Sequence, residues 1–186
     1  MKNAKIKRMV GIAILSAIVV VLQLLGSFIK FGPVSISLVL VPIAVGAAMY
    51  GPIAGAVLGG VFAVVVLLQP DTSLFYNISF IGTIVTVLVK GILAGWLSGL
   101  VFQALSKKNE WIAVGLAAAV CPIVNTGCFV IGCRLFFWDA LAELGGGNAL
   151  VFLITVMIGF NFLAEFVANI ICSPVIVRIL HAVKRN

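Results

Sequence analysis

Six long apolar runs, separated by short polar breaks, dominate the chain. The first covers about residues 9–28, follows Lys2, Lys5, Lys7 and Arg8, and is broken at Lys30, Gly32 and Pro33. The second, about 36–50, meets Gly51-Pro52, a dipeptide that ends a helix. The third, about 53–68, stops at Gln69-Pro70-Asp71-Thr72. The fourth, about 78–105, ends in Ser106-Lys107-Lys108-Asn109. The fifth, about 111–137, gives way to Asp139, Glu143 and Gly145-Gly146-Gly147, and the sixth, about 149–180, ends with His181, Lys184 and Arg185. A spanning helix needs about 20 apolar residues, so the pattern predicts one all-α integral membrane domain, residues 1–186, built as a bundle of six transmembrane helices. The second and third runs are short enough to tilt or to be partly re-entrant. The first run lacks a convincing cleavage site and is expected to stay as a helix.

Composition agrees with a bilayer as the main solvent. The 186 residues are 63% hydrophobic and 9% charged, with a mean hydropathy of +1.32. A soluble domain is about 45–50% apolar and about 25% charged. The net charge of +7 does not point to nucleic acid, because the basic residues gather at the chain ends and one loop. Four precede the first run, Lys107 and Lys108 lie between the fourth and fifth, and Arg178, Lys184 and Arg185 close the sixth. Six spans put all of these on one side, which the positive-inside rule makes the cytoplasm, with both termini there. Lys30, Asp71, Asp139 and Glu143 fall opposite.

Several chemistries are unsupported. No Gly-x-x-x-x-Gly-Lys phosphate loop occurs, so any ATP hydrolysis belongs to another subunit. Cys121, Cys128, Cys133 and Cys172 form no CxxC pair and have no histidine pair nearby, and they read as small apolar side chains. Neither a metal site nor a cofactor is expected. An intramembrane enzyme would need a nucleophile with its base, or a metal set. The only histidine, His181, sits at the cytoplasmic end, and no paired aspartates lie in the spans.

Charges inside apolar runs are functional by default, since one at the bilayer centre costs about 2.5–3.5 kcal/mol on insertion scales. Lys90 lies about twelve residues into the fourth run, near mid-membrane at about 1.5 Å per residue. It either pairs with Glu165 of the sixth run or holds a negative or polar group of a substrate, and the two can coexist. Arg134 is close enough to the outer boundary to snorkel, or else it binds. Asn161, Glu165 and Asn169 recur every fourth residue and so share one helix face. That face must point into the bundle, to bridge helices or to touch a ligand. Asn125-Thr126 lies near mid-depth, one turn after Pro122, which is expected to kink its helix. The Gln69–Asn77 loop, with Asp71, Phe75 and Tyr76, either covers an outward-facing pocket or is simply solvated. Small residues recur at packing distance: Ala13 and Ala17, Gly55 and Gly59, and Gly91, Gly95 and Gly99. The Ala13/Ala17 notch interrupts an otherwise bulky helix and could receive a partner's helix.

Gly32-Pro33-Val34-Ser35-Ile36-Ser37-Leu38, Val41-Pro42-Ile43 and Tyr50-Gly51-Pro52-Ile53-Ala54-Gly55, followed by Lys90-Gly91, Asn125-Thr126 and Asn161/Glu165, resemble the substrate-binding S component of energy-coupling factor (ECF) vitamin transporters. The resemblance implies a multi-pass protein of the bacterial plasma membrane that captures a vitamin from outside. It further implies docking on a transmembrane coupling subunit and two cytoplasmic ATPases, with Ala13-x-x-x-Ala17 matching the family's docking motif. The substrate site is then expected in the outer half of the membrane, under the loops that join the first two helices and the third to the fourth. Lys90 and Asn125 stand where the pantothenate-like branch expects a basic residue and an asparagine, and a carboxylate with an amide and hydroxyls suits them. A lysine in place of arginine lacks bidentate recognition. Riboflavin, folate or cobalamin remain alternatives, as does a stand-alone carrier or channel.

Overall fold

The computed structural model describes residues 2–26, 30–31, 34–35 and 38–184. The break expected at Gly32-Pro33, the end of the first run and the first two residues of the second lie outside the described residues. Everything described is helix or helix-joining turn, apart from an antiparallel ladder of two residues a side, β1 (Lys30–Phe31) with β2 (Val34–Ser35).

Among the described residues, four helices are long and apolar enough to cross a membrane: Lys5–Gly26, Phe80–Leu105, Glu110–Leu144 and Asn161–His181. The first lies within α1 (Lys2–Gly26), and the second is α5. A fifth span results if α3 (Pro52–Leu67) and the helical segment Pro70–Ile78, bent from it by 76°, count together. The second run forms only α2 (Leu40–Tyr50), eleven residues of which eight are buried. A helix apolar on every side belongs inside a bundle, and α2 is enclosed by its neighbours instead of facing lipid.

The α2–α3 joint is made by Gly51, whose φ of 90° suits glycine, and by Pro52 at the first position of α3, where its missing N–H costs nothing. At the far end of α3 the expected loop is a correction: residues 70–78 are helical, as a 3-10 turn (Pro70–Thr72) and α4 (Ser73–Ile78). The last carbonyls of a helix need donors. Here Thr72 Oγ1 donates to the Val66 carbonyl at 2.6 Å and Tyr76 Oη to that of Leu67 at 3.1 Å, which folds the chain back over the helix end.

Ser79 caps α5 (Phe80–Leu105) by accepting from the Gly82 N–H at 3.2 Å. Asn109 caps α6 (Glu110–Gly132) through bonds from the Trp111 and Ile112 N–H groups. The helix α6 continues unbroken through Pro122. Its exit is a second correction, because the chain does not leave the helix before Asp139 and Glu143. It passes through a wider π-helical turn (Cys133–Phe137) into α7 (Trp138–Leu144). The sixth run is α8 (Ala149–Phe152), another π turn (Leu153–Ile158) and α9 (Gly159–Lys184). Both π turns pack in one apolar cluster around Phe137, Leu153 and Met157.

Helices α3 and α5 pack backbone to backbone. A Cβ on Gly59 would meet the backbone of Gly91, one on Gly55 the backbone of Gly95, and one on Gly99 would lie 2.6 Å from Pro52 Cα. The two small-residue patterns thus face each other, and backbone lies on backbone.

Candidate functional site

The face of α5 that looks inward repeats Thr83, Thr86 with Val87, and Lys90, at the three- and four-residue spacing of one helix face. Opposite stand Asn125, Thr126 and Phe129 of α6 and Asn161, Phe162 and Glu165 of α9. The space between them is a cavity with about 120 Å³ open to the centres of water-sized groups, more than a single water or ion needs. Phe62 and Val66 of α3, Phe75 of α4, Phe137, and Met157 with Ile158 from the second π turn complete its apolar wall. Gln23 of α1 with Gln69, Asp71 and Thr72 closes it at the bend after α3.

Lys90 Nζ sits between two rings, 5.1 Å from the centroid of Phe129 and 5.9 Å from that of Phe62, within cation–π range. Glu165, 9% exposed, is close enough to attract it electrostatically. Asn125 and Asn161 are also buried, and the Asn161 amide donates to the Met157 carbonyl at 3.4 Å. Among the described residues, the Thr86 hydroxyl and the side-chain oxygens of Asn125, Asn161 and, outside the cavity, Asn169 have no partner. Such groups are rare in native interiors, because each forfeits its hydration. Asn169 shares the Asn161/Glu165 face but lies outside the cavity, fully buried, with its amide on the Glu165 carbonyl at 2.9 Å.

The roof is a reciprocal pair. Gln23 Nε2 donates to Gln69 Oε1 at 2.8 Å, and Gln69 Nε2 donates to the Gln23 carbonyl at 3.0 Å. Phe75 meets Phe129 and Phe137 edge-on, with centroids 5.7 and 5.1 Å apart.

Of the residues singled out in the sequence, Lys90, Asn125, Asn161, Glu165 and Phe75 converge on this one space. Tyr76 and Arg134 do not line it. Tyr76 is used at the end of α3 and packs on Phe80 at 5.3 Å, while exposed Arg134 lies 4.5 Å over the Trp138 ring, within cation–π range. Ala13 and Ala17 are exposed on α1, whereas Val19 and Gln23 of the same helix are buried. Gln69 and Asp71, from the segment expected to cover a pocket, also line it; Gln23, Thr83 and Thr86 were not marked out beforehand, although a glutamine deep in an apolar run and threonines in register with Lys90 were readable signals. Among the described residues, no three His, Cys, Asp or Glu side chains gather as a metal site.

A largely apolar pocket of this size, set with a few polar groups between apolar helices, suits a small organic molecule. The family profile described as ECF transporter, substrate-specific component, matches residues 7–177. The chain belongs to that family. It is therefore a transport subunit that binds a small-molecule substrate and works with ECF coupling and ATPase subunits, not an enzyme. As an ECF substrate-specific component it is a multi-pass membrane protein, in keeping with its apolar helices. No curated protein and no solved structure matches the chain.

Proposed function

We infer that this S component captures pantothenate. In this reading Lys90 takes the carboxylate, while Asn125, Asn161 and Glu165 meet the amide and hydroxyls and Phe75 packs over the ligand. The observation that carries it is the meeting of the Lys90 ammonium with two buried amide oxygens that have no partner among the described residues, in a single pocket. Tyr76 supports the site indirectly through the bend, and Arg134 anchors the outer boundary. The chain forms one domain with six membrane passages, α2 being the enclosed short one. Both termini lie in the cytoplasm of a bacterium, so the Gln23–Gln69 roof faces outward. Ala13 and Ala17 receive the coupling subunit, and two ATPases drive release.

A second reading has one observation in its favour. Five phenylalanines line the cavity, together with two carboxylates against one ammonium, a balance that also suits a neutral aromatic vitamin such as riboflavin. Native mass spectrometry of the gently purified protein, with calorimetric titration of pantothenate and riboflavin, decides between them. Submicromolar binding of pantothenate alone is the expected result. Preference for riboflavin replaces the assignment, and binding of neither removes it.

A further inference from the structure

Helical threonines usually satisfy their hydroxyl on the carbonyl one turn back, and two threonines here do so. Thr83 Oγ1 donates to the Ser79 carbonyl at 2.7 Å, and Thr155 Oγ1 to that of Val151 at 2.6 Å. Thr86, one turn beyond Thr83 on the same helix, does not. It is 4% exposed and lines the cavity, and its hydroxyl has no partner among the described residues. Its side chain is held in place from α6. A Cβ on Gly132 would come within 2.8 Å of Thr86 Cβ and closer still to its outer atoms, so only a glycine there lets the threonine stand where it does. A β-branched side chain has few rotamers to choose from, and this packing narrows them further.

We propose that Thr86 is a specificity-determining residue of the transporter, its hydroxyl reserved for a hydroxyl or amide of the substrate. Together with the Asn125 and Asn161 oxygens, it places hydrogen-bonding groups on three helices around one space. The cavity then selects a molecule that is polar along its middle as well as at an end, and a carboxylate on an alkyl chain would leave these groups unmatched. The inference rests on this cavity being the substrate site, but not on the substrate being pantothenate.

Thr86→Val removes the hydroxyl at nearly constant shape, and Thr86→Ser keeps it. The purified full chain and both variants are titrated with pantothenate, and their ligand-free melting temperatures are compared. Thr86→Val is expected to lose at least tenfold in affinity and Thr86→Ser less than threefold. Ligand-free Thr86→Val should melt no lower than the parent, since the hydroxyl it lacks has no partner among the described residues. Unchanged affinity in Thr86→Val overturns the proposal, and so does a clearly lower ligand-free melting temperature, the mark of a structural role. If the parent ignores pantothenate but another vitamin of a riboflavin, folate and cobalamin panel raises its melting temperature, the pantothenate assignment fails by itself. Thr86 keeps its role only if Thr86→Val responds less to that vitamin. A parent that responds to none of them overturns both.

Discussion

Lys90 is held by two aromatic faces and by the attraction of Glu165, an arrangement that serves an empty cavity and a filled one differently. Cation–π contacts of this kind are worth about 0.5–2 kcal/mol, less than a full hydrogen-bonded ion pair, so an incoming carboxylate can compete for the ammonium. Lys90→Ala should weaken pantothenate binding at least tenfold by calorimetry, from loss of a charge-assisted bond of about 1.5–3 kcal/mol. Unchanged affinity in a folded variant would make Lys90 structural. Charged and amide side chains in apolar runs stand out, and for that reason Lys90, Asn125, Asn161 and Glu165 were legible in the sequence. Thr86 was not, because a threonine is ordinary in a helix and only the missing backbone bond sets it apart. Tyr76 and Arg134 show the opposite difficulty, since the direction of a side chain on a short or widened helical turn depends on what the turn packs against.

The helix elements divide into a welded pair and more loosely held ones. The α3–α5 seam brings Gly59 and Gly91 into backbone contact, with Ala63 Cβ 3.0 Å from the place a Gly91 side chain would take. Gly91→Val must push two helices apart, a strain of about 1–3 kcal/mol. It should lower the melting temperature by about 2–12 °C for a chain of this size. Gly115→Val is the control: nothing lies within 4 Å of its Cβ, and its melting temperature should hardly move. Run boundaries were readable where a cap or a Gly-Pro pair marks them, as at Gly51-Pro52. The helical return over 70–78 was hidden, because it depends on the Thr72 and Tyr76 hydroxyls reaching back to α3 carbonyls. The π turns left no sequence signal at all.

At the scale of the whole molecule, α1 is the most exposed of the long helices. Met9, Ile14 and Val21 show large apolar surfaces alongside Ala13 and Ala17. If the Ala13/Ala17 notch receives the coupling subunit, Ala17→Trp should abolish uptake in cells that supply the coupling module. Pantothenate affinity of the purified subunit should stay within about twofold, because the site of change is remote from the cavity and independent effects add. Equal loss of affinity would place the notch inside the folding core and not at a docking face.

The paired glutamines give α1 a second occupation. Gln23 donates its side-chain amide to Gln69 and accepts the Gln69 amide on its backbone carbonyl, so both bonds tie the bend after α3 to one residue of α1. A shift of α1 along its axis by one helical turn, about 5.4 Å, exceeds the reach of both at once. The roof over the cavity is thus fastened to the most exposed of the long helices, as a cork is fastened to its string.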